Sequence, residues 1–127
     1  MLVGKKIPII NYKKKIKEAL REMNKKKLGT VVITKKQYIK GLLTDGDLRR
    51  GIKSFSNNQN LLEIMTQRPL VVNENMPASK ALGLMNEKKI TSLLVVSDKD
   101  YKKNNKKLKG IIPVSYTHLT LPTNSGV

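Results

Sequence analysis

Two stretches, KEALREMNKKKLGTVV from Lys17 to Val32 and SKALGLMNEKKITSLL from Ser79 to Leu94, superpose without a gap at an offset of 62 residues. Ala19-Leu20 falls on Ala81-Leu82, Met23-Asn24 on Met85-Asn86 and Lys26-Lys27 on Lys88-Lys89, so the chain carries one structural unit twice. In the first copy Ile16, Ala19, Leu20 and Met23 recur at i, i+3, i+4 and i+7, and in the second Ala78, Ala81, Leu82 and Met85 do the same. That spacing puts four apolar side chains on one helical face and predicts two amphipathic helices with matching buried stripes. Met23 and Met85 read as core, since Met readily fills irregular space between packed elements.

Working outward, each helix leads into a β-branched or leucine-rich run, Thr30–Thr34 (TVVIT) and Ser92–Val96 (SLLVV), that reads as a buried strand. A lysine-rich turn then gives a second strand, Tyr38–Leu43 with Gly41 inside it, matched by Leu108–Ile112 with Gly110 in the equivalent place. The first turn, KKQ, is tight; the second, DKDYKKNNKK from Asp98, is longer and is expected to be exposed and mobile. Short extended segments, Ile7–Ile10 and Arg68–Val72, precede the helices. After Thr44 the run DGDLRRGIKSF reads as a closing helix, with Thr44 or Asp45 as N-cap and Asp47 in the first turn, where a carboxylate meets the positive end of the helix dipole. SFSNNQN, ending at Asn60, reads as a linker, and LLEIMT from Leu61 as a short helix that reopens the pattern. The expectation is an α/β (α+β) fold of two repeats, 1–58 and 59–114, each strand, helix, strand, strand, helix, packed as a pseudo-two-fold pair.

Composition narrows the chemistry. A chain of 127 residues can bury roughly two-thirds of its unfolded surface. It has no cysteine and a single histidine, His118, so neither a thiolate metal site nor a histidine cluster can form, and no metal ligands are expected. The apolar runs are short and the N-terminus lacks the pattern of a signal peptide, which reads as a cytoplasmic chain with no membrane partner. A net charge of +17 raises nucleic-acid binding. Against it, only Arg21, Arg49, Arg50 and Arg68 are arginines, the lysines are scattered over faces and turns, and there is one Phe and no Trp for stacking. A basic nucleic-acid-binding domain is therefore the least favoured reading.

The order of elements, the run GLLTDGD from Gly41 to Asp47 and the IMTxxP segment at Ile64–Pro69 together resemble the CBS domain pair, also called a Bateman module. More narrowly, KIPIINYKKKIKEALREMNKKKLG, GLLTDGDLRRGI, EIMTQRPLVV and ALGLMNEKKITSLLVV are similar to the C-terminal half of D-arabinose-5-phosphate isomerases of the KpsF/GutQ type, from about Val3 to Ile112. Sugar-nucleotide transferases with CBS pairs come near to TDGDLRR, but KITSLLVV favours the isomerases. In those enzymes the chemistry belongs to an N-terminal sugar isomerase (SIS) domain, so the resemblance implies a regulatory stretch without catalytic residues. One histidine cannot supply the base and phosphate site that isomerisation needs.

The resemblance also implies a ligand. CBS pairs bind adenosyl compounds and other nucleotides in clefts between their repeats, which makes AMP, ATP, S-adenosylmethionine or a CMP-sugar the expected class, with no cofactor required. It puts Thr44 near the ligand phosphate and Asp47 on the ribose diol, Arg49 and Arg50 as added charge, and Ile10, Gly29 and Thr30 along the cleft through backbone groups. A carboxylate can accept two hydrogen bonds from a cis-diol, and a hydroxyl beside a helix start can hold a phosphate oxygen. The same residues have a purely structural reading: Thr44 and Asp47 as helix caps, the arginines as solvated surface, Gly29 as the turn after a helix. The second unit reads Gly110-Ile-Ile-Pro113-Val114-Ser115-Tyr116, without hydroxyl or acid at the right spacing, so one intact half-site is expected. From Ile111 to Val127 there is no Lys, Arg, Asp or Glu, where the 28% charged composition would give about five. Residues 115–127 accordingly resemble a translated adapter or frame-shifted end, leaving the second repeat without a normal closing helix. Expected partners are a small-molecule nucleotide, the SIS domain and further copies of the chain; a purely structural, oligomerising module without ligand is the alternative.

Overall fold

A computed structural model describes residues 2–3, 6–26, 28–47 and 60–113. Its elements, in order, are β1 (Leu2–Val3), β2 (Ile9–Asn11), α1 (Ile16–Lys26), β3 (Thr30–Lys35), β4 (Tyr38–Thr44), α2 (Leu61–Ile64), β5 (Val71–Asn73), α3 (Ala78–Lys88), β6 (Ser92–Val96), α4 (Asp98–Lys102) and β7 (Gly110–Pro113). They form two compact units, one from Lys5 to Pro69 and the other from Leu70 onward together with the N-terminal strand. The linker through Gln59 and the tail from Val114 lie outside the described residues, as do Arg49, Arg50 and His118.

In the Lys5–Pro69 unit β2 pairs parallel with β3, and β3 antiparallel with β4. The TVVIT run is buried on both faces, as its lack of alternation requires. Val31 and Ile33 face α1, whose Ile16, Ala19 and Met23 complete the core, with Leu20 packed at its edge. Three of the four stripe positions are thus fully buried and the fourth partly so. The β3–β4 turn is two residues long, and Lys36 and Gln37 both have positive φ, 51° and 75°. This is the primed hairpin geometry whose twist matches paired strands.

The second unit repeats the plan with strand order β1-β7-β6-β5. Val72, Ala81, Met85, Leu93 and Val95 form its core. Two features concern which unit a segment packs into. The short helix α2, read as opening the second repeat, drives Leu61 into the core of the Lys5–Pro69 unit. The N-terminal strand β1 pairs with β7, Leu2 opposite Ile111, and so belongs to the second unit.

The long β6–β7 insertion, expected to be mobile, begins instead with the helix α4. Ser97 caps it, its Oγ accepting from the Asp100 N–H at 3.1 Å, an S-x-x-D pattern at the helix start. Side chains tie the helix to the end of β5. Asn73 Nδ2 donates to Asp98 Oδ1 at 2.7 Å, the Asp98 N–H donates to Glu74 Oε2 at 2.8 Å, and Lys109 hydrogen-bonds Glu74 Oε1. The Lys109 ammonium is the main cause holding the Glu74 carboxyl below its ordinary value, followed by the Asp98 N–H; Asn73 and then Lys102 do the same for Asp98. Both groups titrate lower in the folded chain, so their contribution is complete above the ordinary carboxylate range and is lost as pH falls through it to the lowered values. Acidification below the ordinary carboxylate range, through these lowered values, is expected to release α4 before the sheets melt. Amide exchange at Lys99–Lys103 should then rise while that at Leu93–Val95 stays slow; unchanged protection of α4 at that pH would show that the carboxylates do not hold it.

Candidate functional site

The expected site residues gather where β3 begins and β4 ends. Gly29 closes the turn after α1 at φ +69°, in the left-handed region that suits glycine. Its carbonyl accepts from the Asp45 N–H at 3.0 Å, and a Cβ there would stand 2.7 Å from Asp45 Oδ2. Register then sets Thr30 opposite Thr44. The Thr30 hydroxyl is buried and donates to the Leu43 carbonyl at 3.2 Å, so only its backbone could face a ligand.

Thr44 and Asp47 satisfy one another. The Asp47 N–H donates to Thr44 Oγ1 at 3.1 Å and the Thr44 N–H donates to Asp47 Oδ2 at 3.0 Å, a reciprocal cap on the helical residues 45–47. Both side chains are half-buried. As an acceptor from Asp47, the Thr44 hydroxyl keeps its own hydrogen to donate, and the carboxylate oxygens keep the capacity to receive a pair of hydroxyl donors in exchange for existing ones. The group can bind a polar ligand and hold it by hydrogen bonds. It offers no nucleophile–base pair, and among the described residues no group of three or more Asp, Glu, His or Cys could hold a metal ion.

Ile10 is not brought to this corner. It is level with Ile33 and packs against the α1-side core, about 10 Å along β3 from Thr30 at the usual strand rise. A residue outside the expected set is present instead. Thr66 Oγ1 donates to Asp47 Oδ2 at 3.2 Å and to Oδ1 at 3.4 Å. Its backbone is bridged to the middle of β4, with Leu42 N–H to Thr66 O at 3.0 Å and Thr66 N–H to Leu42 O at 2.7 Å. The IMTxxP segment that marks the resemblance thus supplies a site neighbour that spacing alone did not point to.

In the second unit the β6–β7 register sets Pro113 opposite Ser92, as Thr44 stands opposite Thr30. Proline has neither hydroxyl nor N–H, so the reciprocal cap cannot be built there.

Comparison with known proteins agrees with this architecture. The family model described as "CBS domain" matches twice, over residues 2–54 and 61–115. The arabinose 5-phosphate isomerase KdsD of Yersinia pestis is 40% identical over 100 residues, which are 75% of this chain and 30% of that protein. The chain therefore spans about a third or less of the length of the curated relatives it matches. Among solved structures, CBSX2 in complex with AMP superposes with a TM-score of 0.77 at 20% identity, covering 98% of this chain and 94% of that one. The CBS domain pair of MJ0100, crystallised with 5′-methylthioadenosine and S-adenosyl-L-methionine, gives 0.80 at 19% identity, covering 96% and 93%. At such identities the likeness carries the fold. Among the described residues no helix is long and apolar enough to cross a membrane.

Proposed function

The chain belongs to the CBS domain family, and from that premise we propose that it is a regulatory, ligand-sensing pair whose signal is a nucleotide or nucleotide-sugar. The repeats are counted as 1–58 and 59–114 by sequence, although their packing units exchange short segments. The observation that carries the reading is the joined Thr44 hydroxyl and Asp47 carboxylate at a strand end, beside a glycine whose missing side chain leaves room for the Asp45 carboxylate. In this reading Asp47 takes the ribose diol, Thr44 the phosphate, Gly29 and Thr30 contribute backbone groups, Arg49 and Arg50 add positive charge, and Ile10 contributes through the backbone of β2. The ligands crystallised with CBSX2 and the MJ0100 pair support an adenosyl class, AMP, ATP or S-adenosylmethionine, beside a CMP-sugar.

The similarity to KdsD supports a wider setting: the pair regulates an arabinose-5-phosphate isomerase in the cytoplasm, its isomerising SIS domain lying outside this stretch and the assembly homo-oligomeric. A ligand that binds one packing of the pair better than another would bias the attached enzyme by that difference in affinity. One observation favours a second reading, a structural or assembly role with no ligand: Thr44 and Asp47 already satisfy each other as a helix cap.

Thermal unfolding with AMP, ATP, S-adenosylmethionine and CMP-sugars separates the two. A ligand at about 100 times its Kd adds about 2.7 kcal/mol, on the order of 10 °C for a domain of this size. Asp47→Ala is expected to lower the melting temperature slightly through the lost cap and to abolish the ligand-induced increment. An increment retained in Asp47→Ala, or none with any of these ligands, would overturn the assignment of Asp47 or of the ligand class respectively.

A further inference from the structure

We propose that the Asp45 carboxylate sets the charge preference of this corner, turning it against polyphosphates and toward adenosyl ligands that carry little negative charge. The inference rests on the nucleotide reading above. Asp45 follows Thr44, the residue assigned to the phosphate, and its own N–H donates to the Gly29 carbonyl at 3.0 Å, which ties the end of β4 to the turn before β3. Its side chain folds back over that turn: a Cβ on Gly29 would stand 2.7 Å from Asp45 Oδ2 and 3.6 Å from Cγ. Asp45 is exposed. The carboxylate is therefore a solvent-facing negative charge, held beside one backbone group assigned to the ligand and one residue away from the hydroxyl assigned to its phosphate.

The chain's net charge of +17 draws every anion, so discrimination among them has to come from a charge close to the ligand. Two unit charges on the order of 8 Å apart in a watery setting change an affinity about twofold. A phosphate at Thr44 brings about two negative charges into that range, and a triphosphate brings more. A thioether adenosine brings none, and a sulfonium brings a positive one. The same carboxylate thus repels, ignores or attracts according to the ligand's charge, with no change in the groups that hold the adenosyl moiety.

Titration calorimetry at low ionic strength with ATP, AMP, 5′-methylthioadenosine and S-adenosylmethionine tests this. It is run on the chain, on Asp45→Asn and Asp45→Glu, and on Glu87→Gln, which removes the same charge from an exposed position of α3. The backbone bond from Asp45 to Gly29 survives in every variant. Asp45→Asn is expected to tighten ATP about tenfold and AMP about fourfold, to leave 5′-methylthioadenosine unchanged and to weaken S-adenosylmethionine about twofold. Asp45→Glu keeps the charge and Glu87→Gln keeps the corner, so both should match the parent chain. Equal shifts for every ligand that binds, no shift for a charged one, or the same shifts in Glu87→Gln overturn the charge preference while leaving the nucleotide site standing. No heat with any of these ligands in the parent or any variant overturns the nucleotide reading, and with it this inference.

Discussion

Replacing Leu61 with alanine is expected to destabilise the chain by about 2–5 kcal/mol, the range for a fully buried leucine whose cavity cannot collapse. Leu61 has no exposed surface and sits among Ile16, Ala19, Met23, Val31, Ile33 and Leu43. The effect should fall at the upper part of that range because α2 has only four residues. A helix so short has no stability of its own, so its one buried side chain and the Asn60 cap hold it in place. When it lifts, Met65 and the Thr66–Leu42 bridge lose their support as well. Urea unfolding should show a lower midpoint at unchanged slope, and the melting temperature should fall by more than about 10 °C. A loss below about 1 kcal/mol would show that α2 is not anchored in the core of the first unit.

The second large effect is expected at Gly41. A Cβ there would lie 2.7 Å from the Thr66 carbonyl oxygen and would also meet Met65 Sδ and Cγ. The methionine side chain can swing aside; the carbonyl oxygen cannot move without lengthening its bond from the Leu42 N–H. Gly41→Ala should therefore cost about 2–4 kcal/mol, from overpacking strain together with at least one weakened hydrogen bond. Pairing it with Met65→Ala distinguishes the two neighbours. Relief of the thioether contact alone should recover only a minor part of the loss, and full recovery would place the obstruction in the side chain rather than the backbone.

How far the sequence could be read follows from which interactions are local. Ile16, Ala19 and Met23 lie on one helical face because of their spacing, and they are buried; Ala81 and Met85 follow the same rule, although Ala78 at the head of the second stripe is exposed. The TVVIT and SLLVV runs announced strands covered on both faces for the same reason. The Thr44–Asp47 cap was legible too, since both partners lie within one helical turn. What could not be read was the choice of distant partners. Nothing in LLEIMT states which core Leu61 enters, nothing in Leu2-Val3 points to β7, and the Thr66 hydroxyl meets Asp47 only because the backbone crosses β4 nineteen residues later in the chain. The resemblance, not the spacing, assigned Ile10 to the ligand cleft, and the strand register sets it beside Ile33, further along β3 than Thr30. The order in α4 had a local signature, Ser97 with Asp100 three residues on, masked by the lysines and asparagines that follow.

The pairing of β1 with β7 also bears on how the chain is made. Every described strand and helix between Lys5 and Pro69 can find its partners once that stretch has left the ribosome, because the unit is continuous. The other unit is split, with its edge strand β1 on one side of the Lys5–Pro69 stretch and the strand that receives it, β7, on the other. During synthesis Leu2 and Val3 must therefore wait, unpaired, while one unit folds behind them. Among the described strand pairs, β1 with β7 closes the longest loop, so its pairing carries the largest loop-closure entropy.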